Sequence, residues 1–451
     1  MRDLWDGLPA GAQDGLLFAL LLAPAVLTGL VVLRGYRPWS LLAGLIGRHA
    51  GVSAIFVGLI AVSVGLGAGL TAQERGLRAG TARAADPFDL IVAAPGSEVT
   101  AMLAAVYLQP TALPLLDGAA WDRVAGAEGV GLAAPIAFGD SWRGAPVVGT
   151  TPDFVRHMAA AGDGTVEGRV FAAVGEAVAG ARVPLEIGAT FEPVHGETEA
   201  DNARGEDHGD ADRDHAAHEG AETAIVGRLP ATGSPWDDAI LVPVEAVWQV
   251  HGLSDGHGPD WDGAVGPPFV ADRFPGTPAI LVRAESFGAT YGLQAAFSTD
   301  RTMAFFPGAV LSRLHGLLGD VRQVLSLMAW VTQGLVAAGV LTGLVLLVRL
   351  LSRRLALLRA LGAPARFVFA LTWGFATVLI GTGAMLGLIL GWGAARAISA
   401  VVAARTDIAV EAALGWPELH LVAGFVGAAS LLALVPAAAT VLRPVLDDLR
   451  G

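Results

Sequence analysis

The chain has 451 residues, of which 53% are hydrophobic and 16% charged, with a formal net charge of −13. Soluble domains carry about 25% charged residues, so this composition belongs to the membrane class. There is no cysteine and all 29 basic residues are arginine. A disulfide framework, Cys-ligated zinc, Schiff-base chemistry and the lysine of a P-loop are thereby excluded, and the net acidity argues against nucleic acid.

A helix needs roughly 20 apolar residues to cross a bilayer. Five stretches meet that length: about Leu16–Leu33, Ala50–Leu70, Val324–Val348, Phe367–Ala394 and Leu419–Leu442. The first is read as a retained helix rather than a signal peptide. Its leading residues are not basic, and it ends at Arg34-Gly35-Tyr36-Arg37 with no small-residue cleavage site. Arginines set the orientation. Arg34, Arg37 and Arg48, then Arg349, Arg353, Arg354, Arg359 and Arg366, then Arg443 and Arg450 fall in segments that alternate onto one side, the cytoplasm. The expected organisation is an N-terminal transmembrane helix with a cytoplasmic linker (1–48), a second helix (49–71) and a large periplasmic domain (72–322). A third helix (323–349), a cytoplasmic coupling helix (350–366) and a fourth span (367–395) follow. A periplasmic loop (396–418), a fifth span (419–442) and a cytoplasmic tail (443–451) end the chain. The location this implies is the bacterial inner membrane, crossed several times.

The large domain reads as mixed α/β. Asp89–Ala94 is a strand closed by Pro95-Gly96, Val99–Leu108 and Ala119–Ala127 have helical spacing, and Val130–Ala137 is a strand. Ala145–Gly149, Ala239–Val242 and Ala279–Val282 are short strands, and Glu285–Phe297 is a helix. Residues 192–222 are rich in acid and histidine with almost no large apolar side chain, the composition of a disordered loop. Ser254–Pro268 reads as a second loop.

His195, His208, His215 and His218 lie in the acidic loop among carboxylates. Imidazole and carboxylate are ordinary zinc ligands, and His215 and His218 share a face if the segment turns helically. Two readings stand: a weak site for Zn²⁺ or another divalent cation, or a solvated acidic loop. His251 and His257, near Trp248 and Trp261, are a second metal or substrate contact or belong to a turn. The apolar stretches contain no Asp or Glu, which disfavours an ion relay along them. No catalytic residue and no intrinsic cofactor is expected.

The segment Leu350–Pro364 is an amphipathic helix with leucines at 351, 355 and 358, capped by Gly362 and stopped by Pro364. Its pattern Arg353-Arg354, then Leu358-Arg359-Ala360-Leu361-Gly362-Ala363, resembles the coupling segment of FtsX-like (MacB/LolC/LolE-type) permeases of ABC transporters. The layout is similar too, as is the ending Pro436–Pro444. The extra first helix departs from the family's four spans, and Ala356-Leu357 replaces its usual Glu-Ile. Ala85–Val92, Val106–Pro110 and Glu245–Gly252 resemble a subgroup with a histidine-rich loop associated with zinc-linked transport. The resemblance implies a non-catalytic homodimeric subunit that binds a separate ABC ATPase and passes its closure to the periplasmic domain. Coupling then falls to Arg353, Arg354, Leu357, Leu358, Arg359, Leu361 and Gly362, and a periplasmic metal-binding protein or lipoprotein is a further partner. The alternative is a membrane-anchored regulator or scaffold for a periplasmic enzyme.

Overall fold

The computed structural model describes residues 7–109, 111–162, 164–195, 222–314, 316, 357–406 and 412–442, with isolated positions between 327 and 345. The chain divides into a helical unit (Met1–Leu77, Gly319–Val401, Glu411–Gly451) and an α/β unit (Arg78–Leu318, Val402–Val410).

The helical unit holds α1 (Ala10–Val32), α2 (Trp39–Arg48), most of α3 (Ala50–Ala85), α9 (Ala365–Thr406), α10 (Trp416–Leu432) and α11 (Leu434–Leu442). Among the described residues four helices are long and apolar enough to cross a membrane: Ala10–Val32, Ala50–Ala85, Ala365–Val402 and Trp416–Leu442. The expected third span, 323–349, lies largely outside the described residues, as does the tail 443–451. Four boundaries differ from the sequence reading. The helix expected over 49–71 runs on to Ala85 as α3, and the α/β unit begins at Arg78. The linker after the first span contains the ten-residue helix α2. The segment 396–418 begins as helix, because Ala397–Ala404 gives α9 no reason to stop before Thr406. The last span breaks after Leu432, where the ring of Pro436 opposes the carbonyl four residues earlier.

Close packing in this unit follows its glycines. Cβ atoms added at Gly65 and Gly69 would fall 2.9 Å from Gly387 O and 3.1 Å from Gly391 O, and one at Gly387 would fall 2.7 Å from Ala61 O. Two G-x-x-x-G ridges thus bring the α3 and α9 backbones into contact. The first helix packs on α10, where Gly427 meets Leu21 O and Pro24. His420 Nε2 bonds Asp14 O at 2.9 Å at one end of that contact. Trp373 donates its indole N–H to Ser430 O at 2.9 Å, which satisfies a buried donor.

The α/β unit contains two sheets. One is antiparallel, in the order β12 (Met303–Phe305), β1 (Leu90–Ala93), β11 (Ala279–Ala284), β2 (Val130–Pro135). The other is mixed. It runs β5 (Glu167–Gly168), β9 (Thr223–Arg228), β6 (Glu176–Ala179), β10 (Ile240–Pro243), β4 (Ala145–Thr150), β3 (Ala137–Trp142), β8 (Val194–His195), with β7 (Thr190–Phe191) also on β9. Helices α4 (Glu98–Tyr107), α5 (Gly118–Ala125), α6 (Pro152–Ala161), α7 (Val244–Val250) and α8 (Phe287–Phe297) cover them. Ser97, Asp117, Thr151 and Ser286 cap four of these, each accepting a backbone N–H of the first turn.

The unbroken apolar runs of β1 and β11 have a physical cause. Ile91, Ala93, Ala279 and Leu281 enter one core, around Phe88, Phe154 and Trp236; Leu90, Val92, Ile280 and Val282 enter the other, around Trp121, Trp248, Phe269 and Phe274. A strand covered on both faces has no polar alternation to show. The strand expected over 130–137 splits at Ile136 and serves both sheets. Pro135 offers no N–H, and Ile136 N–H is shared between Ala279 O at 3.3 Å and Thr277 Oγ1 at 3.1 Å.

Candidate functional site

Of the seven residues assigned to coupling, Arg353 and Arg354 lie outside the described residues. Residues 357–360 are helical and the helix ends as its sequence predicts. Gly362 has φ +99°. Its N–H bonds Arg359 O at 3.0 Å, and Ala363 N–H bonds Leu358 O at 2.9 Å. That pair of bonds with a left-handed glycine is a Schellman ending. A side chain at 362 would have to adopt that φ, so glycine is required by backbone conformation. Leu358 packs on the core of the helical unit. Leu357 and Leu361, four residues apart, are 50% and 85% exposed. The turn therefore anchors itself by one leucine and offers two others.

Three ties fix α3 within the helical unit. The glycine ridges make the first. Gln73 and Ser399 Oγ meet at 3.0 Å in the second. The third is an ion pair: Arg75 Nη1 lies 3.1 Å from Glu418 Oε2, and the Glu418 side chain is fully buried. The same oxygen accepts Gly415 N–H at 2.8 Å, and Arg75 also bonds Ala413 O. Sequence reading missed this pair. The available signal was Gly415-Trp-Pro-Glu418, an acid in the first turn of an apolar helix, where a carboxylate caps backbone N–H groups.

In the α/β unit the last turns of α3 and the strand after it are held by other side chains. Tyr107 donates its hydroxyl to Thr81 O at 3.1 Å, and burial pushes its pKa up to about 12. His157 Nε2 bonds Pro87 O at 2.8 Å. Arg283 donates to Asp86 O and lies 3.3 Å from Asp89 Oδ1, while Asp89 Oδ2 accepts Ala284 N–H. Beside these turns is an open cleft of about 640 Å³ lined by Arg78, Asp86, Phe287, Tyr291 and Phe306. That volume lies in the range of small-molecule sites. Elsewhere in the unit Arg182 grips Asp237 and Asp238. Arg169 hydrogen-bonds Glu176, which holds that carboxyl at about 2.

The histidines divide. His208, His215 and His218 lie outside the described residues. His195 falls in β8 opposite Asp140. Among the described residues no three His, Asp or Glu side chains gather as a metal site would require. His251 and His257 do not share a ligand position. His251 Nδ1 bonds Val247 O at 2.7 Å. His257 is buried, bonded through Nε2 to Glu245 Oε1 at 3.0 Å and stacked on Trp261 at 4.5 Å. His257 staples the 254–268 loop, itself without regular secondary structure, to α7.

No protein-family model and no curated protein sequence matches the chain. Solved structures do overlap it, among them two extracytoplasmic domains of transporters. The extracellular domain of the noncanonic ABC-type transporter YknZ from Gram-positive bacteria aligns at 10% identity and a TM-score of 0.26, covering 48% of this chain and 98% of that one. The periplasmic region of MacB from Actinobacillus actinomycetemcomitans aligns at 8% identity and a TM-score of 0.25, covering 51% of this chain and 95% of that one.

Proposed function

We propose that this chain is the permease subunit of an ABC transporter that works by mechanotransmission. A separate ATPase supplies the energy, and motion of the α/β unit is the output. The observation that carries this reading is the turn at 357–362. It stands between apolar segments, is rigidly closed by Gly362, packs inward through Leu358 and leaves Leu357 and Leu361 in solvent. A short helix with one face seated and two leucines free suits insertion into a groove on a soluble partner. Arg353, Arg354 and Arg359 add planar forks suited to carboxylates. The lack of lysine puts P-loop hydrolysis in the partner. Helix α3, with 36 residues and no proline, is a stiff element about 54 Å long through which a displacement can be carried.

The subunit works as a homodimer on two ATPase copies, on the inner membrane, with the α/β unit in the periplasm. Divalent-metal handling, with Zn²⁺ as the test ion, belongs to the histidine loop in this reading. The test is reconstitution with the ATPase that co-purifies. Arg353→Glu, Arg354→Glu and Arg359→Glu together, and Leu361→Asp alone, are expected to abolish stimulated ATP hydrolysis while circular dichroism stays unchanged. Normal stimulation in both variants would end the proposal. If the chain captures a periplasmic hydrolase and no ATPase, it is a regulator.

A further inference from the structure

Helix α2 is caught between two apolar helices. The first, α1, ends at Val32 and α3 begins at Ala50, and both are long and apolar enough to cross a membrane. Helix α2 occupies Trp39–Arg48 of the short connection. At 10 residues it is about 15 Å long, half the thickness of the hydrocarbon core, so it cannot cross. The chain must leave and re-enter the bilayer on one face, and α2 lies at that face.

One side of α2 is occupied. Leu42 is buried, Leu45 and Ile46 pack on the same core, and a Cβ at Gly374 would sit 3.3 Å from Leu42. Trp39 and Leu41 are left 57% and 45% exposed. Arg34, Arg37 and Arg48 are exposed around them, and the sequence holds no Asp or Glu from Gly15 through Gln73. Apolar flanks with an amphipathic tryptophan, and arginines in a stretch of sequence without acid, fit one kind of surface, an anionic lipid face. We propose that α2 is an interfacial helix. It seats Trp39 and Leu41 at the boundary between headgroups and acyl chains, and it holds anionic phospholipid headgroups through Arg34, Arg37 and Arg48. Guanidinium forks match phosphate oxygens in pairs. This goes beyond the permease reading and does not depend on any ATPase.

The chain has no cysteine, so single labels are read without background. Leu41→Cys and Gly44→Cys carry a nitroxide in the full chain, in vesicles of phosphatidylcholine alone or mixed with phosphatidylglycerol. Leu20→Cys and Ile55→Cys, at positions 69% and 71% exposed on α1 and α3, report the spans. The expected result is that the label at 41 collides with oxygen more than with an aqueous nickel chelate, while the label at 44 does the reverse. Phosphatidylglycerol should draw the label at 41 deeper. Arg34→Gln, Arg37→Gln and Arg48→Gln together should remove that lipid dependence without moving the labels at 20 and 55. A label at 41 as open to nickel as that at 44 would overturn the proposal, as would one shielded from both reagents by protein. Depth that ignores phosphatidylglycerol would overturn the headgroup assignment. If the labels at 20 and 55 also stay in water, the spans themselves fail, which is a distinct result.

Discussion

Replacing Gly391 by alanine isolates the contact between α3 and α9. In an exposed helix interior the change should help, because alanine is better than glycine by about 1 kcal/mol. Here the new methyl would fall 2.9 Å from Gly65 Cα and in hard contact with Gly65 O. Both obstacles are backbone, so no side chain can rotate away. Relief needs roughly 1 Å of separation between helices that otherwise touch along two G-x-x-x-G ridges, and overpacking of that kind costs about 1–3 kcal/mol. The expected sign is therefore destabilising at Gly391. Gly381→Ala and Gly393→Ala, on the same helix with nothing within 4 Å of the added Cβ, should be neutral or mildly stabilising. Equilibrium unfolding in bicelles, followed by trapping of the separated helices, compares the three directly. If Gly391→Ala is as stable as the two controls, the α3–α9 crossing described above is wrong.

Glu418→Gln should lower the stability of the helical unit, and Arg75→Gln should do so more, by about 3 kcal/mol, since it strands a buried carboxylate; the double variant should recover part of the loss in the same unfolding assay. Glu176 is depressed from its ordinary 4.5 to about 2 through its bond to Arg169. Its contribution is therefore present above pH 4.5 and lost as the pH falls toward 2, and Glu176→Gln should flatten that part of the acid-unfolding curve. Tyr107 is raised from 10.0 to about 12 by burial. The α/β unit should therefore lose stability as the pH climbs from 10 to 12, and Tyr107→Phe should remove that alkaline limb at a cost of about 1 kcal/mol for the lost bond to Thr81. Ultraviolet titration of the phenolate checks the assignment.

Local chemistry made some of this molecule readable and long range hid the rest. Gly362 and Pro364 predicted the end of the 357–360 helix because a left-handed C-terminal residue and a missing N–H are properties of single residues. Asp89–Ala94 and Ala279–Val282 read as strands for the same local reason, yet their pairing in one sheet rests on contacts across most of the domain. Periodicity could not show that Ile91 and Val92 serve separate cores, since a strand buried on both faces carries no alternation. The G-x-x-x-G spacings at 65/69 and 387/391 stand in the sequence, but only packing shows that Gly65 meets Gly387 and Gly391. His251 and His257 read alike as a contact for metal or substrate or as parts of a turn, because the partner of His257, the buried Glu245, stands twelve residues back on α7. The same reasoning separates α2 from a plain linker. Its amphipathic spacing at 42, 45 and 46 is local and legible, whereas its confinement to a surface follows from the two apolar helices on either side. A helix too short to cross, tethered at both ends to helices that can, has one place to lie.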